Sequence, residues 1–337
     1  MNPIFSAPIE VIFLIVIIAS MITMFTSELM STVPLITSFK NEKIRDNLLK
    51  YIIPAWEVVG TFFVLWLVDM ETVVPFFAPP MAYTLFPLFA IFIFFLIVRN
   101  ATIIYAEFIW KDNRLFDDRK LYTFYAIATF IMGLMALSVI TVMLSGYGAV
   151  VNISKPALSS LNYSVLLSKI QLYGFIIGTL ILLSGMGMVF YRTVDINTSK
   201  RFLPLILVII GLIIDSFTYL SLISADHSVN KDLIVIPIVL TLIIPILFSI
   251  KKTTYVASYK PLYIIFTIVS VTFLELIVYP YVYGGKVYVP NVVTNSAVLT
   301  MDFYISVGGG IWLILMMIYY GFVSNHRIAK IMAEAKN

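Results

Sequence analysis

Four carboxylates stand inside long apolar segments of the sequence, where an ionisable side chain is costly. They are Glu28, Glu57, Asp215 and Glu275. A charged side chain at the centre of a membrane helix costs about 2.5–3.5 kcal/mol on insertion scales. A desolvated carboxyl group can hold a proton and pass it on, which is the chemistry that a proton relay uses. These four residues are therefore candidates for a proton path.

The composition indicates the kind of element that must position them. Hydrophobic residues make up 61% of the 337-residue chain and charged residues 12%, whereas soluble domains carry about 25% charge. The mean hydropathy is +1.01. We predict an all-α integral membrane protein with a single transmembrane domain over 1–337, located in the cell membrane. The sequence has no basic helix that would indicate a nucleic-acid partner.

Nine segments are long enough to cross about 30 Å of hydrocarbon. They are predicted at 8–37, 52–69, 81–110, 121–145, 165–191, 202–224, 232–250, 261–282 and 301–324. Each segment is bounded by polar residues, Pro or Gly, as in "FKNEKIRDN" and "KKTTYVASYK".

The distribution of Lys and Arg orients these nine helices. Of the 22 basic residues, 18 fall on one side, Arg99 and Lys260 among them, and four on the other: Lys155, Lys169, Lys231 and Lys286. Basic loops stay cytoplasmic. We therefore expect the N-terminus outside and the C-terminus inside.

The four carboxylates then occupy different depths. Glu28 is about ten residues from the inner end of span one and Glu57 about six residues into span two, so at about 1.5 Å per residue both fall in the cytoplasmic half. They could share one polar path. Asp215 lies near mid-membrane and Glu275 in the outer half. The alternative for each is a neutral carboxyl group hydrogen-bonded to Ser, Thr or Tyr within a bundle.

Metal and haem ligands are scarce. The sequence has no cysteine and two histidines, His227 and His326. They are predicted at opposite membrane faces, whereas a bis-histidine haem needs two histidines within one bundle. We expect no metal site and no haem held by ligands of this chain. We assign nearly all of the methionines to core packing, and a lone axial Met given to the haem of a neighbouring subunit stays open.

Small residues predict close helix contacts. Gly174 and Gly178 share one helix face, and Gly308, Gly309 and Gly310 form a bare stretch of span nine. Small residues let helices approach closely in lipid. We take all five as candidates for packing against a partner.

Two tripeptides in the predicted outer loops fit the N-glycosylation pattern. They are "NIS", which begins at Asn152, and "NYS", which begins at Asn162.

Two stretches, one near each end of the chain, carry a recognisable pattern. The stretch "LITSFKNEKIRDNLLKYIIPAWEVVGTFFVLW" resembles the charged loop of subunit II of cytochrome bd quinol oxidase and its following Pro-His-Trp-Asp. Here the four residues are Pro54, Ala55, Trp56 and Glu57. The stretch "NSAVLTMDFYISVGGGIWLILMMIYYGFVSNHRI" is similar to the last helix of the family. Ala55 replaces the family's His and Glu57 its Asp, so the chain is a divergent member.

The resemblance implies a haem-free subunit built of two four-helix bundles, 1–145 and 165–282, plus a ninth helix over 301–324. It implies a homologous subunit I-like partner that carries b-type and d-type haem; subunit I's own "GRQPW" is missing here. Glu57 would then be a proton-path residue that faces the partner, with Trp56 packing at the cytoplasmic edge. Membrane lipids and small single-span subunits are further expected partners, and a quinone or lipid could also bind.

Two other functions remain open at this stage. A related membrane subunit of a divergent respiratory complex would hold an externally facing haem protein, and the loss of the family's His and Asp favours it. A secondary transporter could also use a midplane acid such as Asp215. Transporters usually have broken helices at matched positions of two repeats, and no clear internal repeat is found here.

Overall fold

The computed structural model describes residues 8–109, 116–150, 160–194, 198–223, 231–250, 259–293 and 296–334. Nine helices in these ranges are long and apolar enough to cross a membrane. The nine predicted spans are thereby confirmed, and the chain is a multi-pass membrane protein. Its N-out, C-in orientation stays a prediction from the charges.

Twelve α-helices follow each other along the described parts of the chain. They are α1 (Ile9–Leu29), α2 (Thr32–Thr37), α3 (Glu42–Val73), α4 (Ala78–Thr84), α5 (Phe86–Phe108), α6 (Asp118–Ser145), α7 (Tyr163–Leu167), α8 (Ile170–Phe190), α9 (Leu203–Ile223), α10 (Val235–Ser249), α11 (Tyr259–Val278) and α12 (Ser296–Glu334). Two short strands, β1 (Tyr281–Val282) and β2 (Val287–Tyr288), lie between α11 and α12. The short helices α2, α4 and α7 adjoin spanning helices.

Helix α3 begins ten residues before the predicted start at 52 and ends four residues after the predicted end at 69. The Asn41 side chain accepts a hydrogen bond from the backbone N–H of Ile44 at 3.3 Å, which caps the helix. Glu42 in the first turn is favourable there because the N-terminal end of a helix carries partial positive charge. The polar segment expected as an inner loop is therefore mostly helix.

Helix α12 also exceeds its prediction, because it runs over Ser296–Glu334 rather than 301–324. Its apolar part, Ala297–Tyr320, is the part long enough to cross the membrane. Hydropathy identifies only that part, since a polar extension can stay helical in water.

Helix α1 occupies a central position. It contacts α3 and α6 from the first half of the chain and α11 and α12 from the second half. Within the halves, α5 packs on α6, α8 on α9, and α10 on α11, while α12 lies against α3 and α11. These neighbours are compatible with two four-helix bundles, but α1 joins both halves, so the grouping remains a prediction.

A short hairpin closes the end of the molecule where α6 terminates. Strands β1 and β2 pair antiparallel. The backbone N–H of Tyr283 in the turn donates to the Met143 carbonyl at 2.6 Å. Lys286 Nζ donates to the Gly146 carbonyl at 3.0 Å and to the Ala149 carbonyl at 2.8 Å. These bonds satisfy carbonyls at and just beyond the end of α6 and attach the hairpin to it.

Candidate functional site

A buried ion pair connects α1 to α5. Arg99 Nη2 donates hydrogen bonds to both carboxylate oxygens of Glu28, and neither side chain is exposed. Arg99 Nη1 donates to Asn100 Oδ1 at 2.9 Å. The guanidinium carbon lies 5.7 Å from the centre of the Tyr125 ring on α6. Three spanning helices thus meet around one pair of opposite charges.

Arg99 corrects the sequence analysis, which counted it among the charges of the inner side. It lies within α5, nine residues before Phe108, or roughly 14 Å along the helix axis. A positive charge at that depth is costly when it is isolated. The position of Arg99 in the sequence therefore already indicates a carboxylate partner on another span. Glu28 stands nine residues before the end of the first span at Thr37, which places the two side chains at matching distances from the same membrane face.

The turn of α1 that carries Glu28 is held by tyrosines from three other parts of the chain. The Tyr51 hydroxyl donates to Ser27 Oγ at 3.4 Å, and the Tyr191 hydroxyl donates to the Ser27 carbonyl at 2.6 Å. The hydroxyls of Tyr263 and Thr26 lie 2.8 Å apart. Sequence reasoning missed these contacts because they join residues far apart along the chain.

Glu57 and Trp56 lie elsewhere on the surface of the protein. Glu57 is exposed near the middle of α3, and Trp56 is half-buried. Glu28, by contrast, is fully buried against Arg99, and a polar path shared by the two glutamates stays a prediction. An exposed carboxylate in the middle of a spanning helix is costly in lipid. This face of α3 therefore calls for a polar or protein neighbour.

Asp215 and Glu275 line one cavity of about 530 Å³. Thr179 Oγ1 on α8 lies 3.2 Å and 3.3 Å from the carboxylate oxygens of Asp215 and donates to them. Among the described residues, no side chain donates a hydrogen bond to the Glu275 carboxylate. The Tyr219 hydroxyl donates to the Leu274 carbonyl at 2.5 Å and ties α9 to α11.

The rest of the cavity wall is largely apolar. Residues from α1, α3, α5, α6 and α8 to α11 contribute to it, and Tyr281, Val282 and Val289 of the hairpin region lie at one end. Two buried donors in the wall, Trp66 Nε1 and Ser270 Oγ, have no hydrogen-bond partner within the described part of the chain. The cavity thus combines apolar surface with a few polar groups, which is the composition of a site for a small apolar molecule.

Asp69 is a buried acid that sequence reasoning overlooked. It is 1% exposed on α3, and Ser306 Oγ of α12 donates to its Oδ1 at 2.5 Å. The predicted second span ended at this residue. Since α3 continues to Val73, the carboxylate lies inside the helix.

Gly174 and Gly178 serve contacts within the chain, and their assignment to a partner surface is wrong. A side chain at Gly174 would collide with Thr218, and one at Gly178 would collide with Asp215. Both neighbours belong to α9. The two glycines let α8 and α9 approach closely.

The three glycines of α12 divide between two environments. Gly310 is buried, and a side chain there would collide with Ile17 of α1, so this residue also packs within the chain. Gly308 and Gly309 are both exposed, and a side chain added at either position would meet open space among the described residues. These two remain available to a partner helix or to lipid.

Asn162 caps helix α7. Its Oδ1 accepts hydrogen bonds from the backbone N–H of Val165 at 3.3 Å and from Ser164 Oγ at 2.7 Å. Its side chain is exposed, and glycosylation there stays a prediction. Asn152 and His227 lie outside the described residues.

The fold can now be compared with known proteins. No protein-family model matches the sequence, and no curated protein is detectably similar to it. A solved structure matches with a TM-score of 0.67: the bd oxidase from Geobacillus thermodenitrificans. The match covers 92% of this chain and 95% of that chain at 15% sequence identity.

The chain has a bd-oxidase-like fold. Because the alignment covers nearly all of both chains, the two are also similar in length. The fold says nothing by itself about which groups react, because one fold serves several functions.

Proposed function

We propose that the chain is the haem-free accessory subunit of a bd-type quinol:oxygen oxidoreductase. The observation that carries this proposal is the fold likeness to a bd oxidase along almost the whole of both chains. The residues of α3 from Pro54 to Glu57 and those of α12 add the resemblance to subunit II. In this assignment the chain stabilises a haem-bearing partner and helps to supply it with protons from the cytoplasm.

The haems belong to the partner in this proposal. The sequence has two histidines, His227 and His326, and no cysteine. Haem iron in proteins is held by His, Met, Cys or Tyr ligands, and a bis-histidine site needs two histidines in one bundle. The donor set of this chain therefore does not fit such a haem. A subunit I-like partner would supply b-type and d-type haem, and no reaction step is assigned to haem in this chain.

Glu57 is the residue that we assign to proton delivery at the partner surface. It is exposed on a spanning helix, where burial against lipid is unfavourable and contact with a second protein would shield it. Trp56 beside it is half-buried and offers a large apolar surface at the same place. A carboxylate at an interface can receive a proton from one side and release it to the other.

Glu28 is a second proton-path candidate, paired with Arg99. A carboxylate that accepts two hydrogen bonds from a guanidinium group is held in one place and in one orientation. Such a group suits a fixed proton-binding site on a proton path better than a side chain that moves with its proton. Asp215 and Glu275 would form a separate proton-binding site at the cavity.

The cavity supports a bound quinone or lipid. Its apolar wall would take a hydrocarbon tail. The Trp66 N–H and the Ser270 hydroxyl, which have no hydrogen-bond partner among the described residues, could bond to a polar head group. Extraction of the purified protein with organic solvent, followed by mass spectrometry, would identify such a molecule. A protein that retains neither quinone nor lipid after gentle purification would refute this part of the proposal.

A divergent respiratory complex is the second candidate. Ala55 stands where the resembled family has His, and Glu57 where it has Asp. A subunit that lost those groups could serve to hold an externally facing haem protein. The fold likeness gives no support to the secondary transporter, which we do not propose.

Identification of the partner tests the proposal. The native complex would be purified in mild detergent, and its subunits identified by mass spectrometry. We expect a multi-helix membrane protein with several histidines on its spans. A secreted haem protein as the main partner would favour the divergent complex, and a chain that purifies alone would refute both.

A further inference from the structure

Lys260 is a buried cation that the proposed function does not use. It is the second residue of α11 and is 1% exposed. Its ammonium group makes no hydrogen bond to any residue that the structure describes. Removing an ammonium group from water costs several kcal/mol unless other groups compensate. The burial of this ammonium group therefore needs a physical explanation.

Two aromatic rings provide part of that compensation. Lys260 Nζ lies 4.8 Å from the centre of the Tyr51 ring on α3 and 5.3 Å from that of the Phe190 ring on α8. The two rings contact each other edge to face, with centres 4.8 Å apart. Cation–π contacts are stronger when they are desolvated, as they are here. Lys260 therefore joins α11 to α3 and α8.

The same aromatic cluster reaches the turn before Glu28. Phe190 contacts Tyr191 and Tyr263, with ring centres 4.9 Å and 5.2 Å away. The hydroxyls of Tyr51 and Tyr191 bond to Ser27, and that of Tyr263 bonds to Thr26. A layer of tyrosines thus lies between the ammonium group and the turn of α1 that ends at Glu28.

We propose that Lys260 is a positioning residue for Glu28. Its ammonium group holds the Tyr51 and Phe190 rings, and the tyrosine hydroxyls then hold Ser27 and the neighbouring carboxylate in register with Arg99. The second half of the chain thereby controls the geometry of an ion pair in the first half. The functional meaning of this inference rests on the proposed proton delivery, whereas the geometric coupling does not.

Infrared spectroscopy of the purified full-length protein, in its complex, tests the coupling without measuring activity. The Glu28 carboxylate band is identified as the band that Glu28→Gln removes. We expect Lys260→Met to shift this band and Lys260→Arg to restore it, because arginine keeps the charge over the rings. Lys200→Met is the matched control, since Lys200 is an exposed lysine on the same predicted face, and it should leave the band unchanged.

Tyr51→Phe keeps the test decisive if Lys260→Met does not fold. This variant retains the ring beneath Lys260 and removes only the hydroxyl that donates to Ser27, so the band should shift again. An unchanged Glu28 band in Tyr51→Phe and in whichever Lys260 variant folds would overturn the inference. Turnover of the same complexes separates the two proposals: a shifted band with Glu28→Gln still fully active would refute proton delivery at Glu28 and leave the coupling intact.

Discussion

Arg99 on α5 donates from one nitrogen to both carboxylate oxygens of Glu28 on α1, and both side chains are completely buried. Each charge is therefore compensated at a depth where either alone would be costly. The pair also connects two helices that are 71 residues apart along the chain at this point. Loss of this ion pair should lower the free energy of unfolding and should also impair any function of Glu28.

Arg99→Met should destabilise the protein by about 3–5 kcal/mol, because it leaves Glu28 buried without its counter-charge. The free energy of unfolding in detergent, measured by denaturant titration, checks this value. Arg119→Met is a matched control, since Arg119 is exposed at the start of α6, and it should change stability little. The double variant Glu28→Met/Arg99→Met should recover much of the loss. A double variant as unstable as Arg99→Met would contradict the pairing.

Glu57→Gln should lower quinol-driven turnover of the assembled complex by about tenfold or more, as expected when a proton-transfer group is removed. Stability should stay nearly constant, because the side chain is exposed in this chain. Glu57→Asp should retain most of the activity. Glu71→Gln offers a control on the same helix, since Glu71 is also exposed. Equal turnover in Glu57→Gln and Glu71→Gln would remove Glu57 from the proton path.

Gly178→Ala should destabilise the contact between α8 and α9 by about 1–3 kcal/mol, because the added methyl group meets Asp215 in a fully packed place. Gly309→Ala is the comparison, since a side chain added at that position would contact none of the other described residues. It should be neutral or stabilising by up to about 1 kcal/mol, the usual gain for alanine over glycine in a helix. Thermal unfolding of both variants in the same detergent tests this contrast. The same melting temperature for both would show that α8 and α9 do not approach closely.

Ser306→Ala should cost about 1–3 kcal/mol, because it removes a donor from the buried Asp69 carboxyl group. The change should loosen α12 from α3 more than it affects α8 and α9. Hydrogen exchange followed by mass spectrometry would locate the effect along the chain. Thr300→Ala is the control on the exposed surface of α12. Increased exchange restricted to α8 and α9 would contradict the role assigned to this bond.

The number of spans followed directly from hydropathy, whereas the pairing of buried charges did not. A window average identifies a segment that can cross the membrane, but it does not say which residues of two spans share a depth. Arg99 was read as an inner-side charge for that reason, and Asp69 as the end of a helix. The polar residues after Asn41 were taken for a loop, although they form the first turns of α3.

The environments of the four acids were predictable only in part. The depth of Glu28 in the inner half was inferred from its distance to the helix end, but its partner lies 71 residues away. The alternative for these acids was a neutral carboxyl group hydrogen-bonded to Ser, Thr or Tyr. Asp215 does accept a hydrogen bond from Thr179. The exposure of Glu57 became evident only from the packing of α3 against its neighbours, because helical periodicity alone leaves several faces of a helix equivalent.

In the proposed complex the redox chemistry belongs to haems of a partner, and this chain holds none. The most direct test is a reduced-minus-oxidised absorption spectrum of the native complex, repeated on this chain after the subunits are separated. We expect b-type and d-type haem bands in the complex and no haem band in the isolated chain. A complex without haem, or haem that stays with this chain, would contradict this assignment of the haems to the partner.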